Sequence, residues 1–170
     1  MNTSTSAATF HAMPATLPRR LLALFYDLWA VIAIVATVGY VCQRATGGQL
    51  ITTAGHVETV WWYQPLQGLV LSAYFLASWL RGGQTLGMRP WRLRLVRLDG
   101  GPVRFPQAVI RLLAGAAPLL MLGLAPLFGV AAAVWGTLLL WAIWFAWALG
   151  NPRRRALHDL LAGTEVRRIA

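Results

Sequence analysis

Asp27 is the residue whose type and position most directly suggest chemistry in this chain. It is the only charged residue in the apolar stretch of residues 21–42. An ionisable side chain near the bilayer centre costs roughly 2.5–3.5 kcal/mol on insertion scales, so such residues usually mark ion or proton pathways. Arg20 and Ala23 precede Asp27 at spacings that place all three on one helix face. We therefore expect Asp27 to bind a cation or proton, with Arg20 as its nearest partner.

A second group of polar residues follows the next apolar stretch. Gln84 and Thr85 offer hydrogen-bonding groups between Gly83 and Gly87, and glycine readily adopts the conformations of tight turns. This segment is either part of a polar site or an ordinary turn at the membrane surface.

A third group lies near the C-terminus. His158 and Asp159 follow the basic run of residues 153–155, and the leucines around them have helical spacing. The pattern predicts a short interfacial helix that ends near Gly163. Asp159 has two candidate partners, an arginine of the basic run or Arg20 across the bundle.

Three apolar blocks must position these residues, namely 21–42, 60–80 and 112–149. A membrane span needs about 20 residues. The third block would be about 57 Å long as one helix, so it must fold back, and Gly123–Pro126 is the predicted turn. The sequence thus predicts an all-α transmembrane bundle after a disordered tail of residues 1–17. The four predicted spans cover about residues 20–42, 60–80, 106–122 and 126–149.

The arginines predict the orientation of this bundle. All 15 basic residues are arginines, and positively charged loops stay in the cytoplasm. Four spans place every arginine except Arg44 on one side of the membrane. We therefore expect both termini, the loop of residues 81–105 and an amphipathic segment of residues 151–168 to be cytoplasmic.

The cytoplasmic loop has a pattern of its own. Residues 91–98 alternate basic and apolar side chains, which is typical of a strand, and residues 99–101 are turn formers. We expect a β-hairpin with a return strand at residues 103–105. Its arginines would either bind anionic lipid headgroups or serve only to fix topology.

These features together resemble the RDD family of bacterial membrane proteins, over about residues 18–168. The resembling features are Arg20, Ala23 and Asp27; residues 83–87; Asp99 and Gly100; Arg111; and residues 158–164, which include His158, Asp159 and Thr164. The family is named for one arginine and two aspartates, and the resemblance places them at Arg20, Asp27 and Asp159. It implies a multi-pass protein of the bacterial inner membrane, described as a possible transporter, with some members linked to monovalent cation/proton antiport.

Two functions remain open at this stage. In the first, the chain transports an ion or small solute, and its few helices imply a homo-oligomer. In the second, Arg20, Asp27 and Asp159 form a buried network that fixes the helices of a non-transporting scaffold, assembly factor or lipid- or partner-binding subunit. Familiar catalytic motifs, metal-ligand spacings and phosphate loops are not found in the sequence. We therefore expect no enzyme activity, no metal or cofactor and no nucleic-acid partner.

Overall fold

The computed structural model of the chain describes residues 14–52, 58–150 and 153–169. The molecule is mostly helical, with 65% of its residues in helices. The helices are α1 (Leu17–Ala45), α2 (Tyr63–Arg81), α3 (Phe105–Ala116), a 3-10 helix (Ala117–Leu124), α4 (Ala125–Phe128), α5 (Val130–Ala146) and α6 (Leu157–Leu161). The strands are β1 (Ile51–Thr52), β2 (Glu58–Thr59), β3 (Leu93–Arg97) and β4 (Thr164–Arg168).

Helix α1 buries two charged residues, Arg20 and Asp27, and exposes many of its large apolar side chains. Arg20, Ala23 and Asp27 are buried on one face, whereas Phe25 and Trp29 are 54% and 61% exposed. The burial of Arg20 rather than its half-buried neighbour Arg19 agrees with the predicted helix face. A polar interior with an apolar exterior is the arrangement expected of a helix whose outer face contacts lipid.

Two helical segments in the described part of the chain are long and apolar enough to cross a membrane. They are Leu17–Ala45 and Phe105–Phe128, and the latter comprises α3, the 3-10 helix and α4. Helix α5 is also apolar but has only 17 residues. By length and composition, two of the four predicted spans are therefore found.

The third apolar block folds back three residues later than predicted. Pro126 lies inside α4, and the chain turns at Gly129, whose φ of 85° favours glycine. Pro118 does not break the preceding segment, because the helix continues there in 3-10 form. After the turn, α5 packs against the 3-10 helix, and the Trp141 indole N–H donates to the Gly115 carbonyl at 3.0 Å.

The predicted β-hairpin is wrong in its second strand. β3 pairs antiparallel with β4 at the other end of the sequence, with Leu95 opposite Val166. Val103 is in no strand, and α3 begins at Phe105. A strand pattern shows that a segment can pair but not with which segment. β4 pairs with all five residues of β3, whereas the expected return strand had only residues 103–105. The predicted C-terminal amphipathic segment is accordingly a short helix followed by a strand.

The N-terminal boundary also differs from the prediction. Residues 14–16 are ordered along the outer edge of β4, where the Ala15 N–H donates to the Val166 carbonyl at 3.0 Å. The rest of the predicted disordered tail lies outside the described residues. Ala15, Leu93, Leu95 and Val166 belong to one core cluster with Ala23 of α1. The small sheet is therefore anchored on the bundle where α1 begins.

Candidate functional site

Asp159 is the centre of a buried ionic cluster. Its carboxylate is fully buried and accepts hydrogen bonds from the Nη1 atoms of Arg20, at 2.6 Å, and of Arg111. The same carboxylate caps α6 by accepting the Ala156 N–H at 3.1 Å. Two guanidinium groups and one backbone amide thus share a single carboxylate.

Four other elements hold the arginines in this cluster. Arg20 lies in the first turn of α1, and its Nη2 donates to the Val166 carbonyl of β4 at 3.4 Å. Arg111 belongs to α3, and its guanidinium lies 5.2 Å from the centre of the Trp79 ring of α2. Both arginines are buried, at 6% and 9% exposure. The cluster therefore links α1, α2, α3 and β4 to α6, and Thr164 contributes a hydroxyl 3.5 Å from Arg111.

His158 lies beside this cluster without a direct hydrogen bond to it. Its Nε2 is 3.7 Å from an Asp159 oxygen, and its ring packs edge-on against Phe145. Burial holds the His158 pKa well below its usual value, and the charges of Arg111 and Arg20 lower it further. The imidazole is therefore neutral at pH 7.

Asp27 forms a separate site about two helical turns beyond Arg20 on α1. Its Oδ2 accepts the Thr85 hydroxyl at 2.5 Å, and its Oδ1 accepts the Gly87 N–H at 2.8 Å and the Tyr74 hydroxyl at 3.3 Å. The sequence left open whether Arg20 contacts Asp27 or Asp159, and in the structure the Arg20 guanidinium is bonded to Asp159. Of the two alternatives for Asp159, the pairing with Arg20 across the bundle is confirmed.

The segment between α2 and β3 is packed against α1 at the Asp27 site and against β3, rather than being a simple surface turn. At Gly87, a Cβ atom would lie 2.2 Å from the Ala23 carbonyl oxygen of α1. At Gly83, φ is 68°, and a Cβ atom would lie 2.6 Å from the Leu95 carbonyl oxygen of β3. The Gln84 side chain donates to the Leu93 carbonyl at 2.6 Å. The glycines therefore allow backbone contacts that bring Thr85 to Asp27.

Three contributing residues were not singled out as site residues from the sequence. Tyr74 and Trp79 contact the two sites, but they lie in an apolar span where aromatic residues are ordinary. Glu165 is buried on β4 and pairs with Arg167. The only indication in the sequence was that acidic residues are scarce, since the chain has five of them.

The chain matches one family of known proteins. No curated protein and no solved structure matches it significantly. The family model described as the RDD family matches residues 14–163, a region that contains Arg20, Asp27, Arg111 and Asp159. RDD proteins are membrane proteins, in agreement with the apolar exterior of α1. The chain therefore belongs to the RDD family.

Proposed function

We propose that this chain is a four-span protein of the bacterial inner membrane with both termini in the cytoplasm. Helices α2 and α5 have 19 and 17 residues, which corresponds to about 29 and 26 Å at 1.5 Å per residue. Those lengths are close to the roughly 30 Å hydrocarbon core, so each can cross it with slight thinning. Together with the two longer segments, α2 and α5 give the four crossings that keep every arginine except Arg44 on one side of the membrane.

Exposed aromatic residues support a specific depth for Asp27. Tyr40 and Trp61 are exposed near the point where Tyr63 contacts Gly39, as expected of an outer interfacial belt. Twenty residues of helix span about 30 Å, so the inner boundary falls at Arg20. Asp27 then lies about 10 Å inside that boundary, and the cluster around Asp159 lies at it.

The proposed activity is exchange of a monovalent cation for a proton at Asp27. The observation that carries this proposal is the set of partners of its carboxylate. In the described residues, Asp27 is bonded only to uncharged groups, while Arg20 and Arg111 are both bonded to Asp159. A carboxylate at membrane depth without a bonded counter-charge favours uptake of a proton or a cation. The Thr85 and Tyr74 oxygens are suitable additional ligands.

The backbone around Asp27 supports the same proposal. Gly87 is not in a helix, yet it contacts α1 between Ala23 and Asp27. Non-helical backbone at membrane depth is tolerated only where it is buried in protein or lines a water-filled cavity. Transporters use such segments to build ion sites near the middle of the membrane. Since four helices are few for a conducting path, we propose that the active unit is a homo-oligomer.

The test is cation-driven proton movement in everted membrane vesicles, with sodium, potassium and lithium as the driving cations. We expect Asp27→Asn to abolish the movement at membrane levels equal to those of the wild type. Asp99→Asn is the matched control, because Asp99 is an exposed carboxylate paired with Arg97, and it should transport normally. Normal flux from Asp27→Asn would exclude Asp27 from the mechanism.

A second candidate function is a non-transporting scaffold or partner-binding subunit. It is favoured by the Asp159 cluster, which connects elements that are distant in sequence and could serve only to fix their arrangement. Absence of flux from well-folded wild-type protein, together with a partner that co-purifies in fixed proportion, would favour this function over transport.

A further inference from the structure

The outward face of the β3–β4 sheet carries two opposed arginines. Residues directly opposite each other in an antiparallel pair share a face, and successive residues alternate between faces. Leu95 and Val166 are buried against the bundle, so their neighbours Arg94 and Arg167, which are also opposite each other, project from the other face. Beside Arg167 is a cleft of about 240 Å³ that is lined by Pro14, Leu98, Arg153, Glu165 and Arg167.

This arrangement leaves positive charge to be neutralised. Like charges directly opposite in a sheet are destabilising. Glu165 pairs with Arg167, whereas the Arg94 Nε donates to the Gly82 carbonyl at 3.1 Å. Around the same end of the molecule, Asp99 is the one exposed acidic residue among the described side chains. The exposed arginines there are Arg81, Arg89, Arg92, Arg94, Arg104, Arg153, Arg154 and Arg168. The surface therefore complements an anionic partner.

In the proposed membrane orientation, the sheet lies at the depth of the lipid phosphates. The Val166 carbonyl of β4 is bonded to Arg20, the residue at the inner boundary of the proposed hydrocarbon core. The polar headgroup layer extends roughly 5–7 Å beyond that boundary, and an arginine side chain is long enough to reach across it. Leu98 is 40% exposed at the edge of the cleft and can contact the glycerol or acyl part of a lipid.

We propose that the outward face of this sheet, with Arg94 and Arg167 as its binding residues, binds the phosphate headgroup of an anionic lipid. The proposal rests on the proposed membrane orientation but not on transport. Each arginine near an anionic surface contributes roughly 1 kcal/mol, which corresponds to about fivefold in affinity. Removal of both should therefore weaken binding of the lipid by about 25-fold.

The experiment uses the full-length protein, purified in detergent and stripped of lipid. Binding of phosphatidylglycerol and phosphatidylcholine is titrated by native mass spectrometry and by thermal stabilisation. The variants are Arg94→Gln alone, in which Arg167 keeps its pair with Glu165, and Arg94→Gln with Arg167→Gln. Arg44→Gln is the matched control, because Arg44 is an exposed arginine at the opposite end of α1.

The proposal predicts preference for phosphatidylglycerol, about fivefold loss in the single variant, a larger loss in the double variant and no change in Arg44→Gln. Added salt should weaken wild-type binding, because it screens exposed charges. Equal affinity for both lipids, or equal loss in Arg44→Gln, would overturn it. Displacement of the lipid by inorganic phosphate at equal concentration would also overturn it, since the site would then recognise a soluble anion.

Discussion

At the scale of single residues, the central feature is one carboxylate that serves two arginines. Asp159 is fully buried and neutralises part of the charge of Arg20 and Arg111, which are themselves buried. The desolvation cost of such a cluster is large, so its net contribution to stability depends on all partners being present. Its role is therefore best measured by removing the shared charge.

We expect Asp159→Asn to destabilise the protein strongly. The substitution leaves Arg20 and Arg111 buried without an anionic partner, and breaking a buried pair in this way typically costs about 3–5 kcal/mol. The measurement is the thermal unfolding midpoint and the monodisperse yield in detergent. Asp99→Asn should change the stability by no more than about 1 kcal/mol, because the pair of Asp99 with Arg97 is largely exposed. Equal stability of the two variants would contradict the structural role given to Asp159.

His158 should make the protein less stable in acid. Its folded pKa is held below the unfolded value of about 6.5 by burial and by Arg111 and Arg20, so a proton binds the unfolded state more tightly. The associated stability is complete above about pH 6.5 and falls as the pH drops below it, with a slope of at most roughly 1.4 kcal/mol per pH unit. Unfolding midpoints between pH 7.5 and pH 5 should show a shallower decline in His158→Gln than in the wild type. Parallel curves would show that His158 does not titrate differently on folding.

At the scale of elements, the segment between α2 and β3 depends on backbone contacts that only glycine allows. Gly87 approaches α1 so closely that its N–H reaches the Asp27 carboxylate at 2.8 Å. The sequence indicated a turn there, but the contact with α1 arises from the packing of two segments that are about sixty residues apart.

We expect Gly87→Ala to push this segment away from α1. The added methyl group would collide with the Ala23 carbonyl and the Asp27 amide, which are backbone atoms and cannot rotate aside. Overpacking of this kind usually costs about 1–3 kcal/mol, and the change also removes a hydrogen bond from Asp27. The readouts are the unfolding midpoint and accessibility of the segment to protease. Gly82→Ala is the control, since a Cβ atom there meets nothing within 4 Å, and it should behave as the wild type.

The pairing of β3 with β4 can be tested by cross-linking. Arg94 and Arg167 are directly opposite, and opposed residues in an antiparallel pair have Cα atoms about 4.5–5.5 Å apart, within the range of a disulfide. In a Cys42→Ser background, Arg94→Cys with Arg167→Cys should cross-link efficiently under mild oxidation. Val96→Cys with Arg104→Cys should not, although a local hairpin that turns at residues 99–101 would place those two positions opposite each other. Cross-linking of the second pair but not of the first would contradict the pairing of β3 with β4 and support the local hairpin.

At the scale of the whole molecule, the separation of charge determines how the chain can lie in a membrane. The ionic cluster, the sheet and most arginines lie at the end where α1 begins, while Arg44 lies at the other end. The described residues contain two long apolar segments and two shorter helices between and after them. We propose four crossings, because that arrangement would keep this end of the molecule on the cytoplasmic side.

Reporter fusions test that arrangement directly. We expect cytoplasmic reporter activity from a fusion at Ala170 and periplasmic activity from fusions after Gly48 and within the turn at Gly129. Both turn positions are exposed, so an inserted reporter should disturb packing little. Periplasmic activity at Ala170 would exclude the four-span arrangement, because it requires an odd number of crossings when the N-terminus is cytoplasmic.

Much of the molecule follows from local properties of the sequence. Apolar block lengths indicated membrane helices, and the spacing of Arg20, Ala23 and Asp27 indicated their common buried face. The scarcity of acidic residues drew attention to Asp27 and Asp159. These features can be predicted from the sequence because helix periodicity and the cost of placing a charge in lipid depend on residues that are close together along the chain. They do not depend on the rest of the fold.

Only the tertiary structure decided which groups meet. The sequence alone did not distinguish between the possible partners of Arg20, and it did not show that Thr85, Gly87 and Tyr74 surround Asp27. The hairpin predicted from it paired β3 with the wrong segment. Ion pairs and strand pairing depend on the distance between segments that are remote along the chain, and many combinations satisfy the same local pattern. Packing selects among them, because the buried charge of Asp159 must be met by both arginines and the apolar face of β3 by Val166.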